Sequence, residues 1–548
     1  MHWPVAIPAE RAATAIVMVI VLAMAGGSLR SQSPLGPPTA PIQNPVTPAK
    51  AVLGKMLFWE EQLSSNGRIA CGRCHLPEFG GADARRSRHP GHDGQWMTLD
   101  DTFGSPGIER RSQSGSFLDE PQFGYDEQVT SRAAPSAHLA SYFDELFWDG
   151  RAEGPFVDPE TGVTVIAQGG ALEVLCLHPL RNEVEMSREQ RTWTEIKQRL
   201  VVARPLALAS NLPTDIQQAL TAAPNYPQLF AAAFGDTTIT APRIAMSLAT
   251  YLRTLVPNQT PWDMHVQGTT TAMTASQQAG WQVFQNQGRC ALCHTPGLFS
   301  DHQYRGVGLV SVQEDPGRGG ITGVQQEMGM FKVPSLRNAG LKSTLMHNGR
   351  FTSMTQVINF YRLGAGLVGP RDPLLQALPL SQQQLVQLTD FVENALVDPR
   401  ASNALPPFDR PTLRSETVVQ GANQFGTATP TGGYTPRLLA DIPCYIGNSE
   451  WAIGIVDAPP MSAGWLVIGL LPASPGTTLA GVTLHTNVAA LALLIPAATS
   501  SSGDATISIS VPNTPALVGI PFAAQALLGT ASSPQSWCGT SGASFVIL

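Results

Sequence analysis

The chain has 548 residues, too many for one hydrophobic core, and only 14% of them are charged, so about two to four domains of ordinary globular composition are expected. A formal net charge of −7 over that length argues against nucleic acid as a partner.

At the N-terminus Arg11 precedes an apolar run from Ala12 to Ala25 that closes on Ala23-Met24-Ala25. The run is short for a bilayer span and ends in a small-x-small cleavage pattern, so residues 1–25 read as a secretory signal peptide. Export to the periplasm or to an extracellular or cell-surface location is expected, with no membrane span in the mature chain. Residues 26–49 are a proline-rich extended linker.

Next comes IACGRCHLPEFGG, with Cys71, Cys74 and His75, and much later QGRCALCHTPG, with Cys290, Cys293 and His294. The flanks repeat as well. Gly54-x-x-Leu57-Phe58 precedes the first motif and Gly280-x-x-Val283-Phe284 the second, and both continue Cys-His-x-Pro. A weak internal duplication is the natural inference. Between the motifs the text reads mostly helical. APRIAMSLATYLRTLV repeats apolar residues at Ile244, Leu248, Leu252 and Leu255, the spacing of a buried helix face. Thr274 to Gln277 and Ser381 to Gln384 each fit a capping box, and the second opens a helix with Leu385, Leu388 and Val392 on one side.

Residues 401–430 read as a linker. Beyond Arg437 there is no lysine or arginine, and short apolar runs alternate with Gly, Pro, Ser, Thr and Asn. That rhythm predicts an all-β, sandwich-like domain over 431–548. Cys444 and Cys538 lie in it and are candidates for a disulfide; Cys176 reads as a small buried apolar residue.

The paired motif carries the chemistry. A closed zinc site needs four ligands, and neither motif has a partner pair at finger spacing. A thiol–disulfide switch would want a βαβ context. Two thiols one turn apart, followed at once by a histidine, suit covalent haem c: the thiols reach two vinyl groups and the imidazole reaches the iron. Two such motifs with shared flanks predict two covalently bound haem c groups.

From about residue 50 to 397 the chain resembles the bacterial di-haem cytochrome c peroxidase and MauG family. The matching pieces occur in order: LGKMLFWEEQLSSNGRIACGRCH, SRAAPSAHLASYFDELFWDGR, HPLRNEVEM, GWQVFQNQGRCALCH and FKVPSLRNAGLKSTLMHNGRFTSMTQVINFY. The resemblance implies a mainly α fold of two c-type cytochrome-like haem domains, a peroxidatic one at 50–258 and an electron-transfer one at 259–400. The all-β region lies outside it. It also implies a peroxidase-type oxidoreductase that takes hydrogen peroxide at the N-terminal haem. Electrons would be exchanged with a small carrier protein, cytochrome c or cupredoxin, or with an oxidisable protein substrate. A non-enzymatic di-haem electron-transfer cytochrome is the alternative, and a distal acid is what separates the two.

His75 and His294 match the proximal iron ligands, Glu185 the distal acid–base, and Pro179 a residue of the same pocket. Trp148 matches the tryptophan between the haems. The glutamine often found in the distal pocket is replaced by Leu175. Tyr361 falls where the peroxidases carry a methionine ligand and MauG a tyrosine, so it is the expected distal ligand of the second haem, with His347 nearby. In the insertion between His75 and Arg132, which also holds His89, His92 is a candidate distal ligand of the first haem. Family calcium is held through an asparagine that is absent from Arg132-Ala133-Ala134-Pro135, although Lys342 and Thr344 occupy the carbonyl positions; calcium is therefore in doubt.

Overall fold

The computed structural model describes residues 35–366, 368–417, 423–440, 443–470, 472–479, 481–530 and 533–548. The expected signal peptide lies outside them. Among the described residues no helix is long and apolar enough to cross a membrane.

Three large hydrophobic cores organise the described residues, with a small fourth cluster of Trp148, Val310 and Phe331. The first draws on residues from Leu53 to Leu255 and adds Ala401, Phe408 and Leu413. Its frame is a helix Pro48–Phe58, capped by Thr47, packed on a helix Ala241–Leu252 that is buried on nearly every face. The second core holds Trp262, Trp281, Phe284, Phe299 and Phe391. Here a helix Ala275–Gln285 packs on a helix Gln382–Asp390, and both expected capping boxes are formed, at Thr274 and Ser381.

The repeated glycine of the two flanks has one physical cause. A side chain at Gly54 would meet the Ser247 carbonyl oxygen at 1.9 Å, and one at Gly280 would meet that of Gln387 at 1.9 Å. Each glycine lets the helix ahead of a Cys-x-x-Cys-His motif cross a second helix with the backbones nearly touching.

The structure carries the duplication further. Residues 132–151 and 331–350 follow the same path. Ser136 Oγ bonds the Gly80 carbonyl and Ser335 Oγ the Leu298 carbonyl, both at 2.6 Å. Leu139 and Asn338 are left-handed, as are Phe147 and Met346, and Gly150 and Gly349. Short 3-10 turns Ala140–Tyr142 and Ala339–Leu341 follow, and Leu146 pairs with Ala152 as Leu345 does with Phe351. Trp148 and His347 are therefore equivalent residues of the two halves.

The segment from residue 76 to 166 departs from the mostly helical expectation. It is built of two-stranded antiparallel ribbons, among them Ser87–His89 with Thr102–Gly104 and Pro106–Glu109 with Glu127–Val129. Strands of three or four residues bury too little to leave an alternating pattern.

Beyond residue 423 the described residues form mainly β-strands. One sheet runs in the order Asn423–Phe425, Gly542–Val546, Pro521–Thr530, Ala463–Gly469, Leu491–Ala498, with Ser533–Gly539 also on Pro521–Thr530. A second holds Arg437–Ala440, Ala452–Val456 and Ala505–Ser508. Leu438, Ile453 and Ile455 of the second share a core with Leu466, Ile468, Ala524 and Phe545 of the first, the packing of a sandwich. Cys444 and Cys538 are both buried in this unit as free thiols, so the candidate disulfide is not formed.

The stretch read as a linker is not free where it is described. Phe408 and Leu413 are fully buried, Lys55 pairs with Asp409 at 2.9 Å, and Glu61 accepts from the backbone N–H groups of Arg414 and Ser415. Apolar anchors spaced among prolines hold it to the first half. The proline-rich lead-in is likewise fixed, through buried Asn44, which donates to Glu173 and accepts from Lys50.

Candidate functional site

A cavity of about 830 Å³ runs between the halves. Its lining includes Cys71, Cys74, His75, Leu175, Cys176, Pro179 and Glu185, together with Trp148, Val310, Lys332 and His347. The volume suits a cofactor of porphyrin size.

The two thiols and the imidazole come from one helical turn, Cys71–Cys74, with His75 at its end. His75 Nδ1 bonds the Gly81 carbonyl at 3.0 Å, and His294 Nδ1 bonds the Phe299 carbonyl at 3.0 Å. In each case a backbone carbonyl takes the Nδ1 proton and leaves Nε2 as the open lone pair, the arrangement that orients a metal-binding imidazole. Burial depresses both imidazoles and keeps them neutral, and it pushes the Cys71 thiol up to about 12. Cys71, Cys74, Cys290 and Cys293 are all free. This donor set fits covalent haem at each motif: Cys71, Cys74 and His75 would hold one group, and Cys290, Cys293 and His294 the other.

Glu185 sits in a turn tied by Asn182, whose Oδ1 accepts from the N–H groups of Val184 and Glu185 at 2.9 and 3.0 Å. Its carboxylate faces the cavity and has no hydrogen-bond or salt-bridge partner among the described residues. Burial raises its pKa, and Arg151 offsets this only in part. An unpaired carboxylate whose pKa is raised by burial can both accept and donate a proton. Gly107 makes the turn possible and was not singled out from sequence. Ile108 N–H bonds the Val184 carbonyl at 3.1 Å, and a side chain on Gly107 would meet that carbonyl oxygen at 1.9 Å.

Trp148 is buried, and its indole N–H donates to the Ala133 carbonyl at 2.9 Å. Its ring meets His347 edge-on with centroids 6.3 Å apart, and His347 lies flat on Phe331 at 3.6 Å. Arg132 braces this contact by pairing with Asp149 of the first half and Asp315 of the second, at 2.5 and 2.6 Å. Lys342 and His138 also line the cavity.

Tyr361 lies in the last turn of a helix Met354–Arg362, close enough to Cys290 and Cys293 for their charge to disfavour its phenolate, which burial disfavours most. Its hydroxyl has no hydrogen-bond partner among the described residues. His92 is exposed at the rim of the cavity, where Asp100 accepts its backbone N–H at 2.7 Å. Among the described residues no group of three or more His, Cys, Asp or Glu side chains is arranged to hold a metal ion.

Residues 48–271 match the family model described as di-haem cytochrome c peroxidase. The chain is an oxidoreductase related to MauG and the cytochrome c peroxidases. Its relatives include the methylamine utilization protein MauG of Methylophilus methylotrophus, 28% identical over 359 residues, which covers 65% of this chain and 84% of that protein. Another is cytochrome-c peroxidase IdrP1 of Pseudomonas sp. (strain SCT), 25% identical over 393 residues, covering 66% and 84%. Among solved structures, a MauG-like protein associated with microbial copper homeostasis aligns at 22% identity with a TM-score of 0.49, over 68% of this chain and 96% of that one.

Proposed function

We propose that the chain is an exported di-haem c-type peroxidase. It reacts with hydrogen peroxide at the haem held by Cys71, Cys74 and His75. It exchanges electrons, through the haem held by Cys290, Cys293 and His294, with a small electron-carrier protein or an oxidisable protein side chain. When bound, haem supplies the iron that meets the peroxide and the redox change. The protein supplies the rest. Glu185 takes a proton from one peroxide oxygen and returns it to the other as the bond between them breaks. Pro179 and Leu175 are apolar neighbours of that carboxylate, and by keeping water off it they hold its basicity. Trp148 is an oxidisable π system between the halves, fixed by its bond to Ala133. Tyr361 would offer its phenol oxygen to the second haem iron, and a phenolate ligand would favour the oxidised metal. His92, at the rim, would be a candidate imidazole ligand for the first haem iron.

The observation that carries this reading is the unpaired Glu185 carboxylate on the same cavity as Cys71, Cys74 and His75. A pure electron carrier needs no such acid. Stopped-flow measurement of peroxide consumption tests it: Glu185→Gln should be slower by on the order of a hundredfold, and an unchanged rate removes Glu185 from the reaction.

A further inference from the structure

Four lysines and arginines line the cavity, and three of them are satisfied by the protein. Arg132 is paired with Asp149 and Asp315, Arg151 with Asp149, and Lys332 donates to the Glu145 carbonyl at 2.6 Å. The Lys342 amine has no hydrogen-bond or salt-bridge partner among the described residues. Its stem runs beside Gly80, in the loop whose Gly81 carbonyl orients His75. Enclosure without a counter-charge brings its amine down to about 8, with no acidic group opposing the shift.

A second donor nearby is also without an acceptor. His138 is buried against Gly81. Asn338 accepts the Asp398 N–H through Oδ1 at 2.8 Å, so it is the Asn338 amide nitrogen that donates to His138 Nδ1, at 3.0 Å. Nδ1 is then the acceptor, and the proton of the neutral ring sits on Nε2. That buried N–H has no partner among the described residues. The equivalent residue of the second half, Arg337, is satisfied: it pairs with Asp263 at 2.7 Å and donates to the Gly297 and Pro257 carbonyls.

An unpaired ammonium and an orphaned N–H on one cavity wall mark the place of an anionic oxygen group. We infer that Lys342 Nζ and His138 Nε2–H receive a propionate carboxylate of the tetrapyrrole bound at Cys71, Cys74 and His75. The inference rests on the reading of that motif as a haem site. It makes Lys342 a positioning residue that sets the charge around the first haem, on the side of the ring reached from the His75 loop.

Spectroelectrochemical titration of the holoprotein tests it, with two haems per chain verified by pyridine haemochrome. A wild-type protein without haem would defeat the underlying reading and leave no site to test. With haem present, Lys342→Gln removes a positive charge and should lower the midpoint potential of the first haem, while Lys342→Arg keeps it near wild type and the second haem is little moved. His138→Phe should lower the potential in the same direction by less. Unchanged potentials in Lys342→Gln, a shift confined to the second haem, or a wild-type potential that follows phosphate concentration would each overturn the inference, the last by pointing to a free anion. Should Lys342→Gln not assemble, a crystal structure of the wild-type holoprotein decides. Nζ within about 3.2 Å of a propionate oxygen upholds the inference, and Nζ bonded elsewhere ends it.

Discussion

Trp148 and His347 hold equivalent positions in the two halves, and their rings meet at 67° with centroids 6.3 Å apart. The backbones cross reciprocally at this point. Ala133 of the first half donates its N–H to the His347 carbonyl, and Lys332 of the second donates to the Trp148 carbonyl, both at 2.8 Å. The pseudo-symmetric contact thus brings together one residue from each copy of the same motif, and in the first copy that residue is an indole.

This contact predicts a split phenotype. In Trp148→Phe the buried volume is largely kept, but the readily oxidised ring and its bond to Ala133 are lost. Peroxide should still be consumed in the first turnover. The optical change at the second haem should lag by roughly tenfold or more, equivalent to about 1.4 kcal/mol on the barrier. Two-wavelength stopped-flow separates the signals, and equal delay of both would mean that Trp148 serves only packing.

Glu185 predicts opposite effects on rate and on stability. Burial raises its folded-state pKa, so the carboxylate needed as base is lost at a higher pH than an ordinary glutamate would require. The acid limb of the peroxide rate should therefore lie above about 4.3 and should vanish in Glu185→Gln. A raised folded value also means that Glu185 favours folding only when protonated. That contribution is complete below the unfolded value and is lost as pH rises through the folded one. Glu185→Gln should then melt higher than wild type at neutral pH and equally at pH about 4, as followed by calorimetry. A single variant that slows turnover and raises the melting point marks a functional rather than a structural acid.

Gly107 offers a test of position alone. In Gly107→Ala the new methyl meets the Val184 carbonyl and comes within 2.9 Å of Glu185 Cα, so the turn must move. Over-packing of this kind costs about 1–3 kcal/mol. Peroxide turnover should fall toward that of Glu185→Gln while both haems remain attached. Unchanged turnover in a folded protein would show that the carboxylate tolerates displacement.

The proposed haem-attachment residues are read from sequence because their chemistry is local: Cys71, Cys74 and His75 fall within five positions, and the helices that carry the flanking glycines have ordinary caps. The β unit was legible from its turn spacing. Other features depend on contacts remote in sequence. Gly107 matters because residue 184 passes over it, and Lys342 because no acid among the described residues folds next to it. The repeat of 132–151 in 331–350 lies in matched left-handed turns and carbonyl bonds, since FWDGR and MHNGR share few letters. The ribbons between 76 and 166 were read as helical surroundings because strands so short give no period.

The β unit has a defined purchase on the first half. Glu450 accepts from Arg199, and Arg188 approaches it at 3.5 Å. Tyr445 lies against Gly67, and Phe117 of the insertion donates its N–H to Thr506 at 3.0 Å. Arg188 is three residues beyond Glu185, and its backbone N–H is held by Ser65 Oγ at 3.0 Å. The cluster is partly buried, so removing one charge costs more than at an open surface but less than in a dry core. Glu450→Gln leaves two guanidinium groups sharing a neutral acceptor and should lose about 1–2 kcal/mol. Calorimetry should show a transition lowered by a few degrees, about 2–4 °C per kcal/mol for a unit of this size. Because Ser65 holds the Arg188 backbone independently, the peroxide rate at low temperature should be unchanged. A matching loss of rate would instead mean that the β unit helps fix the turn bearing Glu185, and would give this region a part in the chemistry.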